Sequence, residues 1–111
     1  MSQEIIENIK QQIESNPIIL FMKGSPNQPQ CGFSARASQV LMACGERFAY
    51  VDILSNPDIR ANLPAYANWP TFPQLWIKGE LIGGSDIIAE MYEKGELLPL
   101  VKDAVSTAAA G

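Results

Sequence analysis

The amino-acid sequence predicts an α/β domain, and three observations carry that reading. Ile18-Ile19-Leu20-Phe21-Met22 is a short run, apolar at every position, as a central strand covered by helices on both faces would be. A helical pattern separates it from a second strand-like run, Phe48 to Ile53, so the two strands should be parallel and joined by a right-handed crossover. Further on, Gln74 to Lys78 and Leu81 to Gly83 flank Gly79-Glu80, the pattern of a β-hairpin with Gly79 in its turn. With 111 residues and 47% hydrophobic content, the chain is expected to be one domain, 1–111, able to bury its own core.

The elements follow in order. Ser2, Glu4 and the apolar Ile5, Ile6, Ile9 and Ile13 describe one buried face of a helix that Asn16-Pro17 closes. After the first strand, Lys23-Gly24 leads into Ser25 to Gln30, a loop with two prolines and no hydrophobic residue, which should run on the surface and deliver Cys31 to a helix start. Phe33, Ala37, Val40, Leu41 and Cys44 then recur at helical intervals, and Gly45 fits a C-cap position. Asn56-Pro57-Asp58 opens another helix, running to about Tyr66, and Trp69-Pro70-Thr71-Phe72-Pro73 follows as a proline-framed loop. Beyond the hairpin, Gly83-Gly84-Ser85-Asp86 precedes a helix with Ser85 as its expected N-cap. Gly95 breaks that helix, a last one covers roughly 96–105, and residues 107–111 are expected to fray. The predicted order is α-β-α-β-α-β-β-α-α, with no repeat or linker dividing it.

Composition narrows the chemistry. A formal charge of −4 argues against a general nucleic-acid or acidic-membrane surface, because such binding depends on clustered Lys and Arg. The apolar run Ile18 to Met22 is far shorter than the roughly 20 residues of a membrane span, and the first residues, with Glu4 and Glu7, lack the basic start of a signal peptide. A cytoplasmic location is therefore expected. The absence of histidine excludes Ser-His and Cys-His nucleophile pairs and His-liganded metal sites. Two cysteines cannot complete a four-ligand zinc site in one chain. A disulfide between them is also excluded if residues 32–44 are helical, since a rise of about 1.5 Å per residue separates Cys31 and Cys44 by far more than the roughly 7 Å limit on Cα spacing. Cys44 reads as a small core residue.

Cys31 is the candidate reactive atom. A thiol acts as nucleophile or metal ligand only as thiolate, which a helix N-terminus favours through its unpaired N–H groups and partial positive charge. Lys23, at the end of the first strand, would add positive charge if the loop doubles back, and Gly32 leaves room beside the sulfur. The frame Cys31-Gly32-Phe33-Ser34 is a Cys-x-x-Cys arrangement with a hydroxyl in the second place. No disulfide can form within it, which closes the two-thiol route for reducing protein disulfides.

Four signatures together, Lys23-Gly24-Ser25-Pro26, Cys31-Gly32-Phe33-Ser34, Trp69-Pro70-Thr71-Phe72-Pro73-Gln74 and Gly83-Gly84-Ser85-Asp86, resemble the monothiol glutaredoxins of the Cys-Gly-Phe-Ser class in order and spacing. The resemblance covers nearly the whole chain and implies a thioredoxin-like fold, a four-stranded mixed sheet flanked by helices, with Pro73 in cis beside Cys31. It implies glutathione as ligand: Lys23 and Arg60 at the glycine carboxylate, the Phe72 backbone against the cysteinyl part, and Ser85 with Asp86 at the γ-glutamyl end. Asp86 would take the ammonium and the helix N–H groups the other carboxylate. Many relatives have cysteine where this chain has Ser85, so a second thiol near the site is absent here. Trp69 either packs on the domain or shapes a cluster-binding face, and both readings stay open.

The resemblance also implies a [2Fe-2S] cluster. Such a cluster is usually held by four thiolates; this chain offers Cys31, so two chains and two glutathiones would complete the set, one cluster per homodimer. The expected function is then cluster carriage and transfer, with a BolA-type protein and apo iron-sulfur proteins as partners. The alternative is a monothiol oxidoreductase in which Cys31 attacks glutathione mixed disulfides. A third reading is an adaptor that binds its partner without glutathione.

Overall fold

The protein is described by a computed structural model covering residues 3–110. Its elements are α1 (Gln3–Ser15), β1 (Ile18–Met22), β2 (Gly24–Ser25), β3 (Gln28–Pro29), α2 (Gly32–Ala43), β4 (Ala49–Asp52), α3 (Pro57–Ala67), β5 (Gln74–Ile77), β6 (Glu80–Gly83), α4 (Ser85–Glu93) and α5 (Leu97–Ala110). The main sheet has the order β4-β1-β5-β6. β1 pairs parallel with β4 and antiparallel with β5, and β5 pairs antiparallel with β6, which makes the sheet mixed. This is the thioredoxin-like arrangement.

The alternation of side chains along β1 explains why the strand is apolar throughout. Ile18, Leu20 and Met22 face one layer, where they meet Ala37 and Leu41 of α2, Ile88 of α4 and Leu97 and Val101 of α5. Ile19 and Phe21 face the other, against Ile9 and Ile13 of α1 and Ile59 and Leu63 of α3. All five residues of β1 are buried, and each large side chain removed from water contributes about 1.5–3 kcal/mol. β1 thus fixes two cores at once, and its C-terminal end is where the chain leaves the sheet toward Cys31. Among the described residues no helix is long and apolar enough to cross a membrane.

Several local expectations change. The loop from Ser25 to Gln30 contains a short antiparallel ribbon, β2 with β3, in which Gly24 pairs with Pro29 and Ser25 with Gln28. Ser85 is the first residue of α4, and Gly84 caps it instead, so the Ser85 hydroxyl is not a helix cap. Phe33, which shares the apolar spacing of α2, is 62% exposed, because at the first turn that face looks past the sheet into solvent. The second strand is trimmed to Ala49–Asp52, and the last helix extends to Ala110 instead of ending near Val105. The expected fraying of 107–111 is therefore not seen through Ala110; Gly111 and the proposed helix start at Ser2 lie outside the described residues.

Gly79 sits in the hairpin turn as expected, but the turn pair is Lys78 (φ 52°) and Gly79 (φ 79°), not Gly79-Glu80, so β5 ends at Ile77 and β6 begins at Glu80; two left-handed residues match the twist of the adjoining strands. Cys31 and Cys44 are both free, as the helix between them requires.

Candidate functional site

Cys31 is the N-cap residue of α2, in extended conformation, and is half-buried. It makes no side-chain capping hydrogen bond, yet the first turn of the helix acts on its sulfur. The backbone N–H of Ser34 is the strongest influence holding the thiol below its ordinary pKa, ahead of the Phe33 N–H, the Lys23 ammonium and the Ser34 hydroxyl, with partial burial opposing them. The cause is the one anticipated from the sequence: unpaired N–H groups at a helix start favour the anion.

Ser34 has a further part that its place in the motif did not suggest. It is fully buried, and its hydroxyl accepts a hydrogen bond of 3.0 Å from the Lys23 N–H. That bond ties the end of β1 to the first turn of α2 and holds Lys23 beside the sulfur. A second tie comes from Asp52 at the end of β4. Its carboxylate accepts from the N–H groups of Gly24 and Leu54, both at 2.9 Å, and from the Ser55 hydroxyl at 3.1 Å. The Gly24 contact comes first among the causes that lower the Asp52 pKa. Gly24 itself has φ +88°, and a Cβ there would lie 2.5 Å from the Gln28 carbonyl oxygen, so the ribbon closes only over glycine.

Opposite Cys31, the Phe72-Pro73 peptide is cis, as the resemblance implied. The loop before it is held by Gln74, whose buried side-chain amide donates to the Trp69 carbonyl at 3.0 Å and accepts from Trp76 Nε1 at 3.2 Å. Gly83 and Gly84 divide their work. Gly83 (φ +146°) admits the Ile87 side chain, which a Cβ would meet at 2.6 Å, so it packs α4 on β6; Gly84 abuts the Pro73 carbonyl and the Trp69 indole.

All six residues singled out from the sequence, Lys23, Cys31, Arg60, Phe72, Ser85 and Asp86, line one open cleft of about 740 Å³, with Phe33, Trp69, Thr71, Pro73 and Gly84 among its other walls. They come from five separate stretches of chain, Ser85 and Asp86 being neighbours on α4. Two residues of this lining carry a buried polar atom, Trp69 Nε1 and Ser85 Oγ, that has no hydrogen-bond partner among the described residues. Asp86 lies 3.2 Å from Arg36 Nη1, a neighbour the sequence reading did not include. Arg36 is two residues past the motif on α2, and only the packing of α2 against α4 brings it there. Among the described residues no group of three or more His, Cys, Asp or Glu side chains is arranged to hold a metal ion.

The glutaredoxin family profile matches residues 18–82, from β1 to β6. The chain is 70% identical over 98 residues to glutaredoxin 4 of Escherichia coli K12, covering 88% of this chain and 85% of that one. Among solved structures, reduced apo GrxS14 of poplar superposes with a TM-score of 0.76 at 43% identity, covering 90% of this chain and 92% of that one. The holo form of glutaredoxin C1 from Populus tremula x tremuloides gives a TM-score of 0.81 at 28% identity, over 92% and 90% of the two chains. The chain belongs to the glutaredoxin family. Ser34 in place of a second cysteine makes it a monothiol member, and its identity with the E. coli protein aligns it with the glutaredoxin 4 group.

Proposed function

We propose that the protein binds glutathione in the cleft beside Cys31 and, as a homodimer with two glutathiones, carries a [2Fe-2S] cluster for transfer to apo iron-sulfur proteins. The observation that supports this most is the convergence on one cleft of a thiol with a lowered pKa, two cations and one carboxylate. Glutathione has complementary parts: a thiol, two carboxylates and an ammonium. Lys23 and Arg60 suit its glycine carboxylate, the Phe72 backbone beside Pro73 suits its peptide, and Asp86 suits its ammonium. The partnerless Ser85 hydroxyl and Trp69 indole N–H suit a polar ligand, since buried polar atoms cost free energy until paired.

Cluster sharing follows from arithmetic on ligands. One chain supplies one thiolate, and a [2Fe-2S] cluster is usually held by four. Two chains supply two and two bound glutathiones the rest. The exposed Phe33 and the open cleft leave the sulfur accessible to a second chain. A BolA-type protein is the further partner in this reading, and the cytoplasm its setting. Neither nucleic acid nor membrane has a part.

The second reading, a glutathione-dependent oxidoreductase, uses the same atoms. The Cys31 thiolate attacks the sulfur of a glutathione mixed disulfide, the substrate thiolate leaves, and a second glutathione thiolate then attacks the Cys31-glutathione disulfide, releasing Cys31 and oxidised glutathione. The lowered pKa favours that chemistry too, as a secondary activity. Anaerobic reconstitution with iron and sulfide separates the readings. A visible absorption band that requires added glutathione supports cluster binding. A colourless protein that still exchanges glutathione disulfides rapidly leaves only the oxidoreductase.

A further inference from the structure

The Arg36–Asp86 contact changes how the γ-glutamyl end of the ligand would be recognised, an inference that rests on the glutathione reading. We infer that Arg36 is a ligand-binding residue, which takes the α-carboxylate of the γ-glutamyl group while Asp86 takes the ammonium on the same carbon.

Asp86 lines the cleft, and Arg36 Nη1 lies 3.2 Å from its Oδ1. Were Asp86 the sole acceptor of an incoming ammonium, Arg36 would repel that ammonium and compete for the carboxylate. An α-amino-acid group, however, carries both charges on one carbon. Laid against the Arg36–Asp86 pair, it sets ammonium on carboxylate and carboxylate on guanidinium, so that every charge has an opposite neighbour.

The contact leaves capacity for this. It uses one oxygen of Asp86 and one nitrogen of Arg36, whereas a carboxylate has a second oxygen and a guanidinium has five N–H donors in a planar fork. The two side chains are 52% and 88% exposed, and an ion pair this open contributes little to the fold, so its geometry is free to serve a ligand. Adjacent to Asp86, Ser85 is 6% exposed and its hydroxyl has no partner among the described residues, a further polar group at the same corner of the cleft. The pair also joins two elements, α2 bearing Cys31 and α4 bearing the Ser85-Asp86 corner, so one guanidinium couples the thiol helix to the ligand's far end.

Calorimetry on the full chain tests this with two probes, reduced glutathione and γ-aminobutyryl-Cys-Gly, which keeps an ammonium but lacks the α-carboxylate. Arg36→Gln should raise the Kd for glutathione roughly fivefold and Arg36→Lys should recover part of that, whereas Arg36→Gln should leave the Kd for γ-aminobutyryl-Cys-Gly unchanged or lower it, because the guanidinium no longer competes for Asp86. Arg36 is exposed, and matched melting curves would exclude a folding effect. Unchanged or tighter glutathione binding by Arg36→Gln, or an equal loss with both probes, would overturn the assignment while leaving glutathione binding itself intact. Failure of the wild-type chain to bind glutathione would sink both together.

Discussion

Cys31 and Cys44 occupy opposite ends of one helix, the N-cap and C-cap positions of α2, and their thiols are driven in opposite directions. Cys31 is half-buried at the end where N–H groups are unpaired, and the Ser34 N–H foremost holds its pKa down. Cys44 is 4% exposed, packed with Leu41 and the residues of α5, and burial pushes its thiol up against a weak opposing influence from Lys102. The C-terminal end of a helix carries partial negative charge, which gives a thiolate no help. Residue type alone therefore says nothing about reactivity; position on the helix and exposure decide it.

The largest effect expected from breaking this contrast is Cys31→Ser. Alkylation of the native protein by iodoacetamide should fall to background, and neither cluster nor glutathione adduct should form. Persistent labelling in the folded state would mean that Cys44 is accessible. Next comes Gly24→Ala. A Cβ at φ +88° strains the backbone by roughly 1–3 kcal/mol, and here it also meets backbone atoms of Gln28 and Gln30 at 2.5 and 2.8 Å. Denaturant melts should show a loss at or above the top of that range. Labelling of Cys31 should also shift, because the β2-β3 ribbon delivers it to α2.

Cys44→Ser should leave labelling and cluster formation intact and cost about 1–3 kcal/mol, the penalty for a hydroxyl in an apolar site. Its effect on pH dependence has the opposite sign to that of Cys31. A raised thiol pKa contributes stability that is complete below the unfolded value and fades as pH rises through the folded one. The lowered pKa of Cys31 contributes above the unfolded value and fades as pH falls through the folded one. Replacing Cys44 should accordingly flatten part of the stability loss at alkaline pH, measured by urea melts across that range. The smallest effect belongs to Ser34→Ala. It removes a hydroxyl that lowers the Cys31 pKa and leaves the Lys23 N–H without its acceptor, so the labelling midpoint should move to higher pH while stability falls by about 1 kcal/mol. An unmoved midpoint would assign the lowered pKa to the helix N–H groups and Lys23 without the hydroxyl.

What could be read from the sequence was what local pattern encodes. Ile18 to Met22 announced a strand with two covered faces because every position is apolar, and that strand seats both cores. Gly79 announced its turn, and the cysteine behind a polar loop announced the reactive helix start. Cys31 and Lys23 are legible from the residues themselves, whereas Arg60, Phe72, Ser85 and Asp86 come from the family resemblance, since nothing in spacing alone joins Arg60 to Asp86. The features that were missed all depend on tertiary approach. Arg36 meets Asp86 across 50 residues and Asp52 reaches Gly24 across 28, distances over which no periodicity carries a signal. Phe33 fitted the apolar spacing of α2 but belongs to its first turn, beyond the sheet. Ser85 had the right residue type for an N-cap, yet Gly84 took that position and left the Ser85 hydroxyl buried beside the cleft.

The central claim is that Cys31 supplies one of four thiolates to a shared cluster, and native mass spectrometry of the anaerobically reconstituted protein tests it most directly. The predicted species contains two chains, one [2Fe-2S] and two glutathiones, and it is absent from Cys31→Ser but present in Cys44→Ser. A cluster on a single chain, a dimeric cluster lacking glutathione, or a cluster lost with Cys44 would contradict it.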